Sequence, residues 1–413
     1  MVIFVQKNNY RKAVANNKLT FTQKMIFDEK IIRRGSNCYK WDVQDNDDVI
    51  PMWIADMDFK TAPPIIEALQ ERVAHGVFGY VKPPKEYFEA VCQWFGNQHG
   101  WHIEPKEIIY TIGVVPAISA IIKAVTMPGE KVLMTTPVYN CFFSSIRNNG
   151  CQVAASTLKA DQNGRYTIDF EDFEEQCKDP KTRVFLLCNP HNPTSRVWTR
   201  DELTQMAQIC KDNDVFIISD EIHCEIMMPG FQYIPFGTLD DSVKGNYAVC
   251  TSPSKAFNIA GLQIANIICP CPKTRRKIDR AININEVCDV NPFGIVALMT
   301  AYTDPRSKEW LDNLNNYIYQ NYLAAKDIFA QKLPSATITP QEGTYLMWVN
   351  FHNLINNARK MEDDLIDNAK VWINAGTLYG DDGEHCMRIN LATQRERVVA
   401  GVERVCGYFE KYN

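Results

Sequence analysis

The chain has no long apolar run and no excess of basic residues, and these two absences exclude whole classes of partner. None of its 413 residues lies in an unbroken apolar stretch of about 18 residues, the length that a membrane-spanning helix needs. The formal net charge is -5 at pH 7. Nucleic acids and anionic membrane surfaces attract basic proteins, so we expect neither as a partner.

Cysteine is plentiful, but the spacing that a metal site needs is missing. The 14 cysteines are scattered, and several lie inside apolar runs such as VFLLCNP. Without a recognisable secretory signal before them, we interpret them as reduced, mostly buried thiols of a cytoplasmic protein. The nearest approach to a metal pair, Cys269-Pro-Cys271, lacks the usual gap and a partner pair, so we expect no metal.

Acidic residues are absent from the first 24 positions, which carry five Lys or Arg. This segment also lacks serine and the apolar core of a signal peptide. We expect residues 1–25 to be a loosely ordered extension, with Met25 as a candidate start of the ordered chain. Residues 26–50 are expected to pack with a small C-terminal domain.

Short apolar runs alternate with helical patterns between about residues 105 and 270. Several runs are apolar throughout, as expected for strands that are buried on both faces of a sheet. Between two of them, a capping box at Thr199 and Glu202 begins an amphipathic helix. This repetition predicts an α/β fold with a mainly parallel seven-stranded sheet, whose ligands lie at the carboxyl ends of the strands. The predicted strands are residues 108–112, 131–136, 152–157, 183–188, 215–219, 248–252 and 265–269.

The pattern changes towards the C-terminus. Long helical patterns cover about residues 305–333 and 394–411. Between them, TYLMWVN and CMRINLA alternate like strands with one wet face. We therefore predict a large domain at residues 51–290 and a smaller α+β domain at residues 291–413.

A glycine and an aromatic residue follow two of the predicted strands. Gly113 permits a turn before Val114 and Val115, where a helix N-terminus would offer free N–H groups to an anion. A helix cap without a ligand is the alternative. Tyr139 could stack on a planar ligand or belong to the core.

An asparagine and an aspartate follow two further strands. Two Asn-Pro pairs in NPHNPTS restrict the turn around Asn192, which is then either a fixed donor or part of a plain surface turn. Asp220 directly follows an apolar strand, so its partly buried carboxylate would need a cationic partner. The neighbouring His223 could suggest a metal, but no second cluster completes a coordination set.

One lysine lies in unusual surroundings. Lys255 belongs to the stretch TSPSKAFNIAGLQIA, with Ser252 and Ser254 beside it and no Asp or Glu within ten residues. It is either a solvated loop lysine or the Schiff-base partner of a carbonyl cofactor.

The groups at the strand ends match the parts of pyridoxal phosphate. An anion site, a stacking ring, an amide donor, a buried carboxylate and an amine correspond to its phosphate, planar ring, phenolic oxygen, ring nitrogen and aldehyde. A nucleotide-binding Rossmann protein is disfavoured, because no G-x-G-x-x-G follows any predicted strand.

Nine motifs in order resemble a known family. They are PMWIADMDF, HGVFGY, GVVPAI, PVY, NPHNPT, SDEIH, SPSKAFNIAGLQ, EGTYLMW and MRINLA. Over about residues 26–411 the chain resembles the fold-type I pyridoxal-phosphate enzymes, and most of all the cystathionine β-lyase (MalY/PatB-like) branch of the class I/II aminotransferases. The resemblance implies that Lys255 forms the internal aldimine and that Asp220 pairs with the ring nitrogen. It also implies cofactor contacts for Val114, Val115, Tyr139, Asn192, His223, Ser252 and Ser254, and substrate contacts for Arg388, Asn192 and Tyr139.

The resemblance further implies a homodimer with shared active sites, in which Tyr80 of HGVFGY reaches the cofactor of the other subunit. The alternative is that Tyr80 is a core aromatic of its own chain. For Arg388, the alternative to binding a substrate carboxylate is a surface ion pair.

The chain departs from the common aminotransferase pattern at two positions. Gln263 stands where many aminotransferases have an arginine that bonds the phosphate, which favours the lyase branch. Ser195 stands where glycine is usual in the turn after Asn192. The expected activity is the β-elimination of a thiol from L-cystathionine or another cysteine S-conjugate. An aminotransferase is the alternative enzyme, and a non-catalytic binding protein is disfavoured because Lys255, Asp220 and Arg388 are all present.

Overall fold

The seven predicted strands form one sheet. The computed structural model describes residues 26–242, 245–284, 286 and 289–412, and the extension predicted for residues 1–25 lies outside them. The strands are β1 (Ile108–Thr111), β2 (Lys131–Thr136), β3 (Gln152–Thr157), β4 (Thr182–Cys188), β5 (Phe216–Asp220), β6 (Tyr247–Thr251) and β7 (Ala265–Ile268). Their order across the sheet is β1-β7-β6-β5-β4-β2-β3, so the predicted α/β architecture is confirmed.

One strand of this sheet runs against the others. β7 is antiparallel to its neighbours β1 and β6, and the remaining neighbouring pairs are parallel. Six strands therefore end at the same edge, and β7 begins there. The loops after these strand ends meet at one side of the sheet, where ligands of such folds bind.

Helices cover both faces of this sheet, which explains the apolar runs. Val184 and Leu186 of β4 face one core cluster, and Phe185 and Leu187 face the other. The helices up to this point are α1 (Pro63–His75), α2 (Lys85–His99), α3 (Val114–Val125), α4 (Cys141–Asn148), α5 (Phe170–Lys178), α6 (Arg200–Asp212) and α7 (Pro272–Ile284). The capping box predicted before α6 is present. Among the described residues, no helix has the length and apolarity that crossing a bilayer requires.

The C-terminal part contains a second, antiparallel sheet. Its elements are α8 (Pro292–Thr303), α9 (Pro305–Lys332), β8 (Thr337–Ile338), β9 (Leu346–Asn350), α10 (Ala358–Asp364), β10 (Asn374–Ala375), β11 (Cys386–Asn390) and α11 (Arg395–Tyr412). The strand order is β8-β9-β11-β10. Because α8 packs on α1 and α2 of the preceding part, the domain division near residue 290 stays a prediction.

The prediction that β9 and β11 have one wet face is wrong. Met347 and Val349 of β9 pack in a core with α9 and α11. On the other face, Leu346 and Trp348 join the core that extends to the seven-stranded sheet. Both faces are buried because the small sheet lies between its own helices and the large part of the chain.

The N-terminal segment is held by buried charges. Arg33 pairs with Asp56 at 2.6 Å and with Asp58 at 2.7 Å, and the buried Lys40 lies 3.0 Å from Asp58. Lys40 belongs to the single helical turn Tyr39–Asp42. These ion pairs fasten the N-terminal segment to the loop that follows Trp53, which reaches the site described below.

Candidate active site

A cavity of about 300 Å³ lies at the carboxyl edge of the large sheet. Loops after β1, β2, β4, β5 and β6 and the segment before β7 all contribute to it. The residues predicted for the site that line it are Val114, Val115, Tyr139, Asn192, Asp220, His223, Ser254 and Lys255. Loops far apart in sequence thus bring eight of the predicted residues around one space.

Lys255 extends into this cavity, where its side chain is only partly exposed. Its Nζ donates a hydrogen bond to the carbonyl oxygen of Ala55 at 2.7 Å. The same oxygen accepts a hydrogen bond from the Tyr345 hydroxyl at 3.0 Å. Burial lowers the pKa of the Lys255 ammonium, against the attraction of Asp56. A lysine in this state loses its proton more readily than a surface lysine and is suited to act as a nucleophile or base.

Asp220 is a buried carboxyl that faces the cavity with few donors. It is 3% exposed and accepts a backbone hydrogen bond from Ile222 at 3.1 Å. Burial raises the pKa of its carboxyl to about 7. The neighbouring Glu221 points elsewhere and accepts from four donors, which are the side chains of Ser219, Tyr233 and Asn189 and the backbone of Phe236. Asp220 is therefore the carboxyl that a cationic ligand atom would stabilise.

Arg388 lies behind the cavity lining, where it contacts Asn192, one of the lining residues. The Arg388 guanidinium donates to the Asn192 side-chain oxygen at 3.2 Å and to the carbonyl oxygen of Trp53 at 2.6 Å. It stacks over the Tyr379 ring at 4.9 Å and is 3% exposed. Among the described residues no carboxylate pairs with it, so the alternative of a surface ion pair is wrong. A buried guanidinium without a carboxylate is suited to bind one from a ligand.

Two ring side chains of the cavity are held neutral. Burial raises the pKa of the Tyr139 hydroxyl well above its usual range. Burial, with Lys255 and Arg388 adding to it, lowers the pKa of His223 far below its usual range. Within the described part of the chain, Nδ1 of His223 has no hydrogen-bond partner. Tyr139 lies in the loop between β2 and α4, two residues before the helix begins.

The start of α3 forms the end of the cavity that suits an anion. Gly113 precedes the helix, and Val114 and Val115 are its first two residues, so their N–H groups are outside the helical ladder. Pro116 is the third helical residue, a position where its missing N–H costs no bond. Ser254 and Gln263 also line the cavity.

Three predicted site residues lie outside the cavity lining, namely Arg388, Ser252 and Tyr80. Ser252 is buried behind it, where its hydroxyl donates to the carbonyl of Ile264 at 2.6 Å and accepts from the backbone of Ser254 at 3.1 Å. Tyr80 lies elsewhere and is 99% exposed. The alternative that Tyr80 is a core aromatic of its own chain is therefore wrong.

Sequence reasoning missed the loop after Trp53 as a part of the site. It contributes the backbone carbonyl oxygens of Trp53 and Ala55. Every residue has such an oxygen, so the residue type does not indicate which ones take part in a site. The motif PMWIADMDF was the signal that could have found it.

The turn after Asn192 explains why glycine is usual at position 195. Ser195 has a φ of 58°, in the left-handed region that glycine adopts most easily.

The cavity therefore suits a planar, anionic ligand with a basic ring nitrogen and a group that an amine attacks. A lysine, a buried carboxyl and a helix N-terminus line it at the carboxyl edge of a seven-stranded α/β sheet, and a buried guanidinium is bonded to Asn192 of the same lining. The chain belongs to the aminotransferase class I and II family, whose family model matches residues 47–405.

Three known proteins resemble this chain over nearly its whole length. The cystathionine beta-lyase PatB of Bacillus subtilis is 36% identical over 385 residues, which cover 92% of this chain and 99% of PatB. The crystal structure of cystalysin from Treponema denticola, which contains pyridoxal 5'-phosphate, is 33% identical with a TM-score of 0.90 and covers 94% of this chain and 99% of its own. A pyridoxal-phosphate-bound C-S lyase from Staphylococcus hominis is 32% identical with a TM-score of 0.86 and covers 93% and 98%.

Proposed function

We propose that the protein is a pyridoxal-phosphate-dependent C–S β-lyase. Its substrate is L-cystathionine or a related cysteine S-conjugate, and its products are a thiol, pyruvate and ammonia. For cystathionine the thiol is homocysteine. The observation that carries the proposal is that Lys255 and Asp220 line one cavity, with Arg388 bonded to Asn192 of the same lining. The lyase names of the relatives support it further.

The residues of the cavity fit this cofactor part by part. Asp220 is a buried carboxyl that forms no ion pair among the described residues, and the ring nitrogen would place a cation beside it. The first N–H groups of α3 suit the phosphate, and the amine of Lys255 suits the aldehyde. The Tyr139 ring would pack against the cofactor ring, the Asn192 amide would bond the phenolic oxygen and His223 would lie beside the ring. Ser254, supported by Ser252 behind it, would contact the phosphate.

Three side chains of the protein act in the elimination itself. When bound, the cofactor supplies a sink for the electron pair that the Cα–H bond leaves. Asp220 holds a proton at the ring nitrogen, which keeps that sink positive. Arg388 binds the substrate carboxylate and so fixes the position of Cα. The Lys255 amine removes the Cα proton, a task for which its lowered pKa suits it.

The reaction type is tested by one assay. We expect the purified protein to form pyruvate from L-cystathionine without any added keto acid. A panel of cystathionine, cystine and S-alkyl cysteines then ranks the leaving thiols. Turnover that depends on a keto acid acceptor, with no pyruvate formed otherwise, would instead identify an aminotransferase.

The active unit of the proposal is a homodimer with shared sites. Tyr80 is almost fully exposed, and Val77 and Phe78 beside it are 62% and 56% exposed. Exposed apolar residues this close together favour contact with another protein surface. Within one chain the cavity also has Gln263, which is uncharged, rather than an arginine near the anion site. A second chain that covers residues 77–80 and receives Tyr80 in its site accounts for both features.

A cytoplasmic location is also part of the proposal. It is supported by the cysteines of the described residues, none of which forms a disulfide bond.

The shared site predicts complementation between two inactive variants. Lys255→Ala and Tyr80→Ala chains are each expected to be inactive as homodimers. Heterodimers, purified through two different tags, contain one site with both residues intact, so activity should return to roughly half of the wild-type value per dimer. If Tyr80 acts within its own chain, each heterodimer site keeps one defect and no activity returns. Folding of both variants is checked by circular dichroism.

A further inference from the structure

Tyr345 is a fully buried residue behind the cavity that has no task in the reaction as described so far. It directly precedes β9. Its hydroxyl donates a hydrogen bond at 3.0 Å to the carbonyl oxygen of Ala55, a residue of the cavity lining. The same oxygen accepts a hydrogen bond at 2.7 Å from Nζ of Lys255. One backbone oxygen therefore connects the reactive lysine to a tyrosine of the C-terminal part.

The peptide group between Ala55 and Asp56 is held at both of its polar ends. Its N–H belongs to Asp56 and donates to the carbonyl oxygen of Ile54 at 3.0 Å, which closes a tight turn around Ala55. Its oxygen accepts from Tyr345 and from Lys255. The direction of the Ala55 carbonyl therefore depends on the turn and on these two side chains.

The Tyr345 side chain is suited to hold this oxygen in one position. Burial raises the pKa of its hydroxyl well above the usual range, so the hydroxyl keeps its proton and donates it. Its ring packs nearly at right angles to the ring of His223, with the ring centroids 5.8 Å apart. Because the ring is packed and the hydroxyl is protonated, the hydrogen bond to Ala55 has a defined direction.

We propose that Tyr345 is a positioning residue for the base, which fixes the Ala55 carbonyl so that this carbonyl orients the free Lys255 amine towards the Cα proton of the substrate. The inference rests on the proposed function, in which Lys255 removes that proton. A neutral amine has two N–H bonds and one lone pair. With one N–H bonded to Ala55, rotation of the amine is restricted, and the lone pair can stay directed at the substrate.

The Ala55 oxygen also stabilises the charge that the proton transfer creates. The proton moves from Cα to Nζ, and the electron pair of the C–H bond remains in the sink that the cofactor supplies. The amine becomes an ammonium, and one of its N–H bonds stays on the Ala55 oxygen, whose partial negative charge favours it. Because Tyr345 has already aligned that oxygen, the step needs little reorganisation.

The competing explanation is that Tyr345 serves only the stability of the fold. The loop has other supports, since Asn390 donates to the carbonyl oxygens of Ile54 and Asp56 at 2.6 and 2.7 Å. If these bonds are enough to fix the Ala55 oxygen, loss of the Tyr345 hydroxyl lowers Tm and leaves proton transfer unchanged. The variant Tyr345→Phe separates the two explanations, because it keeps the packed ring and removes only the hydroxyl.

The first test measures proton transfer without elimination. L-Alanine has a Cα proton but no leaving group at Cβ, so NMR of its deuterium uptake in D₂O reports the transfer by Lys255 alone. Tyr345→Phe should lower the maximum exchange rate about ten- to a hundredfold, the scale of a base misplaced by up to about 1 Å. The alanine concentration that gives half of the maximum rate should change little, because Arg388 binds the carboxylate.

The matched control for this test is Tyr87→Phe. The Tyr87 hydroxyl is also fully buried and donates at 2.6 Å to Asn266, away from the cavity lining. Its loss should lower Tm, as loss of a buried hydrogen bond does, and should leave the exchange rate at the wild-type value. An exchange rate in Tyr345→Phe equal to the wild-type rate, or an equal loss in both variants, overturns the proposal.

The second test needs no turnover and compares crystal structures of the cofactor-free wild-type and Tyr345→Phe proteins. In the wild-type protein, Tyr345 and Lys255 should both donate to the Ala55 oxygen. In the variant, the Ala55 carbonyl should turn, and Nζ of Lys255 should leave it or occupy several positions. If both atoms stay where they are in the wild-type protein, Tyr345 does not position the lysine.

The two tests keep the failure of this inference separate from the failure of the proposed function. A wild-type protein that exchanges the alanine proton but forms no pyruvate from L-cystathionine refutes the lyase, and the exchange rates still test the role of Tyr345. An active lyase whose Tyr345→Phe variant exchanges alanine at the wild-type rate refutes only that role.

Discussion

Lys255→Ala is expected to abolish turnover while the chain remains folded. The amine has two tasks in the proposal, bonding the cofactor aldehyde and moving the Cα proton, and alanine can do neither. The wild-type protein should be yellow, and borohydride treatment should fix the cofactor to the peptide that contains Lys255. The variant should give no such peptide.

The matched controls for Lys255 are a cationic replacement and an exposed lysine. Lys255→Arg keeps a positive charge but cannot form the bond, so it should be as inactive as the alanine variant. Lys360→Ala removes an exposed lysine of α10 and should retain full activity. If Lys255→Ala turns over substrate at the parent rate, the proposed role of this lysine is wrong.

Asp220→Ala should retain the cofactor but lose at least about a thousandfold in kcat, which corresponds to about 4 kcal/mol. Without the carboxylate the ring nitrogen loses its proton, and the neutral ring stabilises the developing negative charge poorly. Asp220→Asn, which has nearly the same shape, should lose about as much, and Asp220→Glu should lose less. A loss under about tenfold in Asp220→Asn would mean that this carboxyl does not face the ring nitrogen.

A pH titration of the cofactor-free protein tests the same carboxyl without turnover. Its folded pKa of about 7 is above the ordinary value for an aspartate. Between pH 4 and 7, roughly, the folded chain therefore binds more protons at this group than the unfolded chain, so the contribution of Asp220 to stability falls as pH rises through that window. The measurement is Tm as a function of pH. Tm of the Asp220→Asn variant should fall less than that of the wild-type protein as the pH rises through this window. Adding cofactor to the wild-type protein should also make the fall in Tm smaller, because the ring nitrogen would supply a cation next to the carboxylate.

The apolar runs between residues 105 and 270 were sufficient to predict the large sheet. Strands buried on both faces need largely apolar sequence, as in β4, and all seven predicted segments became strands. The runs do not predict the order of the strands in the sheet, since buried apolar side chains such as Val184 and Ile218 can pack against many different neighbouring strands. The antiparallel direction of β7 could not be predicted from the sequence either, because the direction of a strand depends on how the chain connects it to the sheet and not on its side chains.

The small sheet illustrates the opposite case. The alternation in TYLMWVN and CMRINLA correctly predicted strands, but polar residues in a strand do not have to face water. Asn390 donates to the carbonyl oxygens of Ile54 and Asp56, and Arg388 donates to that of Trp53. Their polar groups are bonded to backbone oxygens of a loop more than 300 residues away in sequence. A local sequence pattern cannot predict hydrogen bonds between a strand and so distant a loop.

The sequence by itself determined the fold class and the chemical types of the site residues, because apolar runs, proline pairs and isolated charged residues are local features. Only the tertiary structure decided how those residues behave. The buried environment raises the pKa of Asp220 and lowers that of Lys255, and within the described part of the chain it leaves Arg388 without a carboxylate partner. The structure also left Tyr80 exposed. These properties depend on the solvent and the charges around a group, and both are set by segments that are distant in the chain.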